Sequence, residues 1–141
     1  MIEITQVFPG PGLDACIAIR RTVFVGEQNV AEEEEMDGLD PDCLHVLASD
    51  QGRPAGTLRL RELGDTVKIQ RVAVLPEWRG TGLGAQLMRF ALDLARSRGL
   101  RHARLGAQTQ ALGFYEKLGF SAEGPEFLDA GIPHREMTRD L

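Results

Sequence analysis

The sequence predicts a mixed α/β (α+β) domain, with a largely antiparallel central sheet and helices on both faces. Three observations predict it. Short stretches with a two-residue alternation are interrupted by two longer stretches of helical period. Three of the predicted strands follow one another across short turns, as in a meander. A glycine-rich turn joins a buried-type strand directly to the most regular helix.

Taken in order, Ile2, Ile4 and Val7 alternate with polar residues, so Ile2 to Phe8 is a predicted strand closed by the Pro9-Gly10-Pro11-Gly12 loop. Leu13, Cys16, Ile17, Val23 and Phe24 then recur at helical spacing and predict an amphipathic helix from Leu13 to about Val25. Residues 26 to 42 carry Glu32 to Glu35, Asp37 and Asp40, whose mutual repulsion predicts a loop or a frayed helical turn. Leu44 to Ala48, Thr57 to Leu63 and Val67 to Leu75 are predicted strands of the meander. Over residues 82 to 98, Leu83, Leu87, Phe90, Ala91, Leu94 and Ala95 share one face and Gly99 ends the helix. Arg101 to Ala107 is a predicted strand, and Thr109 caps a short helix running to Leu118. Phe120 opens another strand, and His134 to Thr138 forms the last.

A chain of 141 residues fits one domain, expected to span residues 1–141. Apolar residues make up 43% and charged residues 26%, as in ordinary globular domains. No apolar run reaches the roughly 18 residues of a membrane span, and the N-terminus lacks an export pattern; a cytoplasmic location without membrane contact is expected. Cys16 and Cys43 have neither a paired nor a metal-ligand spacing, so buried free thiols and no metal are expected. A net charge of −5 argues against nucleic acid as the main partner. Residues 1 to 50 hold 11 acids and 2 bases, whereas residues 51 to 141 hold 10 acids and 14 bases. The basic half suits an anionic ligand and the acidic half a cationic one, or both are simply solvated surface.

The segment Arg79-Gly80-Thr81-Gly82-Leu83-Gly84 follows the strand Val72-Ala73-Val74-Leu75 and opens the regular helix. A helix start presents unpaired N–H groups and about half a positive charge, and glycines let phosphate oxygens approach them. Arg79 adds a forked cationic donor. A Walker loop is excluded, because no lysine stands where it requires one. A dinucleotide fold is disfavoured, because no acid lies between Asp93 and Glu116 to hold a ribose.

These residues resemble the signature of the GNAT superfamily, the Gcn5-related N-acetyltransferases. Arg79 to Gly84 matches the pattern Arg/Gln-x-x-Gly-x-Gly/Ala, Arg71-Val72-Ala73-Val74 looks like the cofactor-binding strand, and Ala111 to Phe120 looks like the second motif. Val23-Phe24-Val25-Gly26-Glu27-Gln28, Glu35-x-Asp37-x-x-Asp40, His45 and Gly131-Ile132-x-His134 look similar to the ElaA-like branch. The resemblance implies an acetyl-CoA-dependent N-acetyltransferase, its cosubstrate's pyrophosphate on Arg79, Gly80, Thr81, Gly82, Leu83 and Gly84 and its pantetheine arm along Val72, Ala73 and Val74. It implies that this strand diverges from the next near Ala103 to Ala107. Gln108 stands near where relatives carry a cofactor-contacting asparagine.

Transfer requires a neutral amine to attack a thioester and a thiolate to leave. Tyr115 matches the family's acid: a phenol of ordinary pKa about 10 stays protonated at neutral pH and can protonate a thiolate. It is also a cofactor-contact candidate. A base is harder to find. Gln70 stands where several relatives place a glutamate, and an amide cannot accept the proton. Glu35 and His45 are the candidates to replace it, with Asp37 and His134 behind them; Glu35 and Asp37 also fit a solvated acidic face that binds an ammonium, and His45 a satisfied strand residue. Trp78 is expected to pack beneath the loop. The expected acceptor is a primary amine on a small molecule or peptide, with a homodimer left open. The alternatives are a non-catalytic CoA-binding sensor or partner-binding module, and another acyl transfer such as acyl-homoserine lactone synthesis.

Overall fold

The computed structural model describes residues 1–141. Seven strands form one sheet in the order β1-β2-β3-β4-β5-β7-β6. They are β1 (Ile2–Val7), β2 (Leu44–Asp50), β3 (Arg53–Leu63), β4 (Thr66–Val74), β5 (His102–Gln108), β6 (Ser121–Asp129) and β7 (Ile132–Asp140). Every neighbouring pair is antiparallel except β4 and β5. The helices are α1 (Pro11–Arg20), α2 (Glu32–Glu35), α3 (Leu83–Ser97) and α4 (Leu112–Glu116). No helix is long and apolar enough to cross a membrane.

The alternation along β2 and β3 sends their side chains to two different layers. Val46, Ala48, Leu58 and Leu60 face α3 and form the main core with Leu83, Leu87, Met88, Ala91, Leu92 and Ala95. Burying each leucine there contributes about 2 kcal/mol. On the other face Leu47 sits opposite Thr57 and His45 opposite Arg59. Here α1 and its extension bring Ile19 and Val23 against Ala73, beside a buried polar layer of His45, Thr57 and Arg59. The helices thus cover both faces, but only one of those faces is wholly apolar.

The predicted helix over Leu13 to Val25 is regular only to Arg20 and then widens into a π-helical segment, Arg21–Glu27. Its last bond runs from the Gln28 N–H to the Val23 carbonyl at 3.1 Å. The wider turn keeps Val23 on the sheet while Phe24 and Gln28 face a cleft. The last two strands are longer than expected. A bulge between Glu123 and Phe127 absorbs Gly124-Pro125, and β7 pairs with β5 from Gln108↔His134 to His102↔Asp140. Cys16 is buried and Cys43 only half-buried, both as free thiols.

Candidate active site

The site begins with a fault in the sheet. Thr57 pairs with Ala73 but Arg59 pairs with Gln70, so β4 carries one residue more than β3 across this interval. Arg71 absorbs the excess in a left-handed conformation, φ 58°, costly for a side chain with a Cβ. The parallel ladder between β4 and β5 covers only Thr66↔His102, Val67↔Ala103 and Lys68↔Arg104. Beyond it the strands run on to Val74 and Gln108 without pairing, leaving backbone donors and acceptors of β4 open on that side.

Val74 leads through a 3₁₀ turn, Pro76–Trp78, into Arg79 and the glycines. Gly82 precedes α3 in a left-handed conformation, φ 89°, and no side chain caps the helix. The first-turn N–H groups therefore remain free for an anion. Trp78 packs in the core and its indole N–H donates to Asp50 at 2.9 Å, while the Thr81 hydroxyl donates to the Trp78 carbonyl at 2.5 Å. Arg79 differs from expectation. Its guanidinium donates to both Glu27 oxygens at 2.6 and 2.9 Å and to the Val74 carbonyl at 2.9 Å. That pairing holds the Glu27 carboxyl below its ordinary range. The fork predicted to await a phosphate instead ties the loop to the end of the α1 extension.

A cleft of about 670 Å³ opens where β4 and β5 part. Gln70, Arg71 and Val72 line one wall, Gly106 and Gln108 the other, with Tyr115 reaching in from α4. Phe24 and Gln28 close it from above, where Gln108 donates to the Gln28 amide oxygen at 2.9 Å. Ala73 is instead packed against Ile19 and Val23, and the residues 79–84 do not line the cleft.

Tyr115 is 9% exposed, its ring edge-on to Phe114 and Phe120 with centroids 4.9 and 6.2 Å away. Burial pushes its phenol up to about 12, and the hydroxyl has no hydrogen-bond partner within the protein. His134, cross-strand from Gln108, also lines the cleft and is 8% exposed. Its ring stacks on Phe127 with centroids 5.8 Å apart, and Nδ1 lies 2.7 Å from the Ile132 carbonyl oxygen. Gly106 makes room for both: a Cβ there would sit 3.3 Å from Phe127 Cζ and 3.9 Å from His134 Cδ2.

His45 is placed elsewhere. It is buried on β2 and does not line the cleft, with Nε2 2.9 Å from the Asp40 carbonyl oxygen.

Glu32, Glu33 and Glu34 are exposed, but Glu35, Asp37 and Asp40 are ion-paired and not a solvated face. Arg20 Nε and Nη2 donate to Glu35 at 2.5 and 3.1 Å, and Nη1 to Asp40 at 2.8 Å. Arg59, with no exposed surface, donates to Asp37 at 2.6 and 3.1 Å and to Asp40 at 2.9 Å. Arg71 lies 3.2 Å from Asp37 and 3.4 Å from Glu35. Burial acts to raise the Asp37 carboxyl, but the hydrogen bonds from Arg59 outweigh it and hold that group at about 2. Arg59 Nε also donates to the Gln70 amide oxygen at 3.1 Å. Glu35 and Asp37 touch the cleft, yet guanidinium groups engage their oxygens, so neither stands as a free base or a free ammonium site. The sequence reading missed Arg20, Arg59 and Arg71. The signal was present: Arg20 falls four residues after Cys16 on the apolar stripe of α1, a buried position that calls for a carboxylate.

A strand pair that parts midway, an uncapped glycine-led helix and a deep tyrosine define the acyltransferase class. The comparisons with known proteins agree. The acetyltransferase (GNAT) domain model matches residues 15–141. The chain is 41% identical over 123 residues to YjcF of Bacillus subtilis, an uncharacterized N-acetyltransferase, covering 86% of this chain and 88% of that one. Among solved structures it is similar to an acyl-CoA N-acyltransferase from Pseudomonas aeruginosa, with TM-score 0.88, 33% identity and 99% of each chain covered. It is also similar to Escherichia coli ElaA, with TM-score 0.88, 30% identity and 99% of each chain covered. The chain belongs to the GNAT acetyltransferase family.

Proposed function

We propose that this protein transfers an acetyl group from acetyl-CoA directly to a primary amine of a small molecule or peptide. The observation that carries the reading is the early end of the β4–β5 ladder at Lys68↔Arg104. Past it, the open β4 backbone offers partners to the amides of a pantetheine arm, and the chain then runs into the free N–H groups of α3, which suit a pyrophosphate. Family membership and the acyl-CoA chemistry named for the Pseudomonas aeruginosa relative support the same donor. Gly80 and Gly82 hold left-handed conformations, φ 77° and 89°, that turn the loop onto the helix start. Arg79 acts mainly by fixing the loop.

Tyr115 is the acid in this reading. Buried and held protonated, its phenol donates to the sulfur as the carbon–sulfur bond breaks. Gln70 serves as an acceptor for Arg59 rather than as a base, and Gln108 bridges the cleft to Gln28.

The test is an amine panel with acetyl-CoA and thiol detection, beside a thermal-shift titration with CoA. The expected outcome is a rise in Tm with CoA and thiol release with at least one amine. A rise in Tm without release across the panel would favour a CoA-binding sensor. No rise at high excess would end the reading.

A further inference from the structure

We propose that His134, through Nε2, takes the proton from the acceptor's ammonium; this rests on the acetyl-transfer reading. The cleft walls include Glu33, Glu34 and Asp129, none of them in an ion pair, against Lys68 as the unpaired base. An alkyl amine enters such a cleft as the cation, yet only its neutral form attacks a thioester.

Among the groups that line the cleft, His134 is the one built to remove that proton. The Ile132 carbonyl can only accept, so Nδ1 at 2.7 Å must donate, which leaves the lone pair of a neutral ring on Nε2. Nε2 has no protein partner and is not among the sealed polar atoms, so it meets the cleft. Stacking on Phe127 and the missing side chain at Gly106 fix the ring plane. Of the other groups, Glu35 and Asp37 are engaged by arginines and Gln70 by Arg59, while the unpaired Glu33, Glu34 and Asp129 are solvent-exposed carboxylates suited to holding the cation. The charges nearest in the sheet do not compete for Nε2, since Glu136 is held by Arg104 at 2.7 Å.

The protons balance. The ammonium gives one proton to Nε2, which passes it to solvent. The amine forms the carbon–nitrogen bond as the carbon–sulfur bond breaks, and Tyr115 protonates the thiolate. The second nitrogen-bound proton restores the phenol. Amide, CoA thiol and one released proton result.

The test compares wild type and His134→Gln, with acetyl-CoA, on the best alkyl amine of the panel and on O-methylhydroxylamine, which is neutral at pH 7. The expected result is a fall in kcat of about 100-fold on the alkyl amine. On O-methylhydroxylamine the variant should stay within about threefold, with an unchanged KM for acetyl-CoA. Equal losses on both acceptors would mean a structural role and overturn the proposal. A second measurement does not depend on turnover: ¹⁵N NMR of the three histidines, with His134 assigned by its loss in the variant. It should show Nδ1 protonated and Nε2 bare; the opposite tautomer refutes the assignment even if no amine reacts. An absence of CoA binding and transfer would instead count against acetyl transfer itself.

Discussion

At the scale of single residues, burial has different consequences for Tyr115 and for the Arg20–Glu35 pair. The Tyr115 hydroxyl makes no bond inside the protein, so Tyr115→Phe should leave the unfolding midpoint nearly unchanged. In the acetyl-transfer reading it should lower kcat by about 100-fold or more, with little change in the KM for acetyl-CoA; steady-state kinetics beside a thermal melt check both. Arg20 and Glu35 behave in the opposite way. Each is 1% exposed, so Arg20→Ala strands a carboxylate in the interior and should cost about 3–5 kcal/mol in urea unfolding. Asp37 gives a pH signature. Its folded value of about 2 lies below the unfolded 3.8, so its contribution to stability is present above about pH 4 and is lost as pH falls toward 2. Asp37→Asn should flatten the stability profile in that window. The place of Tyr115 on the cleft wall was legible because a motif spacing points to it. The duties of Glu35 and Asp37 were not, because clustered acids look solvated until the arginines that face them, 15 to 36 residues away by sequence number, are folded onto them.

At the scale of elements, the regularity of α3 made it legible: its apolar face repeats without interruption from Leu83 to Ala95, and the structure starts the helix at Leu83. The start itself depends on backbone conformation. Gly82 holds φ 89°, so Gly82→Ala should destabilise the fold by about 1–2 kcal/mol. If the helix start holds the pyrophosphate, the same substitution should weaken CoA binding, read as a smaller thermal shift per added CoA. The α1 extension was only half legible. Val23 and Phe24 follow the helical spacing, but the widening after Arg20 answers to two tertiary demands, Val23 on the sheet and Glu27 on Arg79. Local sequence carries neither demand.

At the scale of the whole molecule, the mixed sheet with helices on both faces followed from the order of periodic segments. The layer of ion pairs between the sheet and the acidic segment did not. One face of the sheet meets α3 through apolar side chains and holds by area; on the other, Arg59 and Arg71 of the sheet and Arg20 of α1 hold Glu35, Asp37 and Asp40 through charge pairs. The parting of β4 from β5 also has a meaning in time. Amides of β4 beyond Lys68 that point toward β5 have no ladder partner, so they should surrender deuterium within seconds to minutes, while those bonded to β3 keep it far longer. Adding CoA should slow the first set and leave the second alone. The unzipped half of one strand would then act as a clock, recording for how much of each minute the donor is at home.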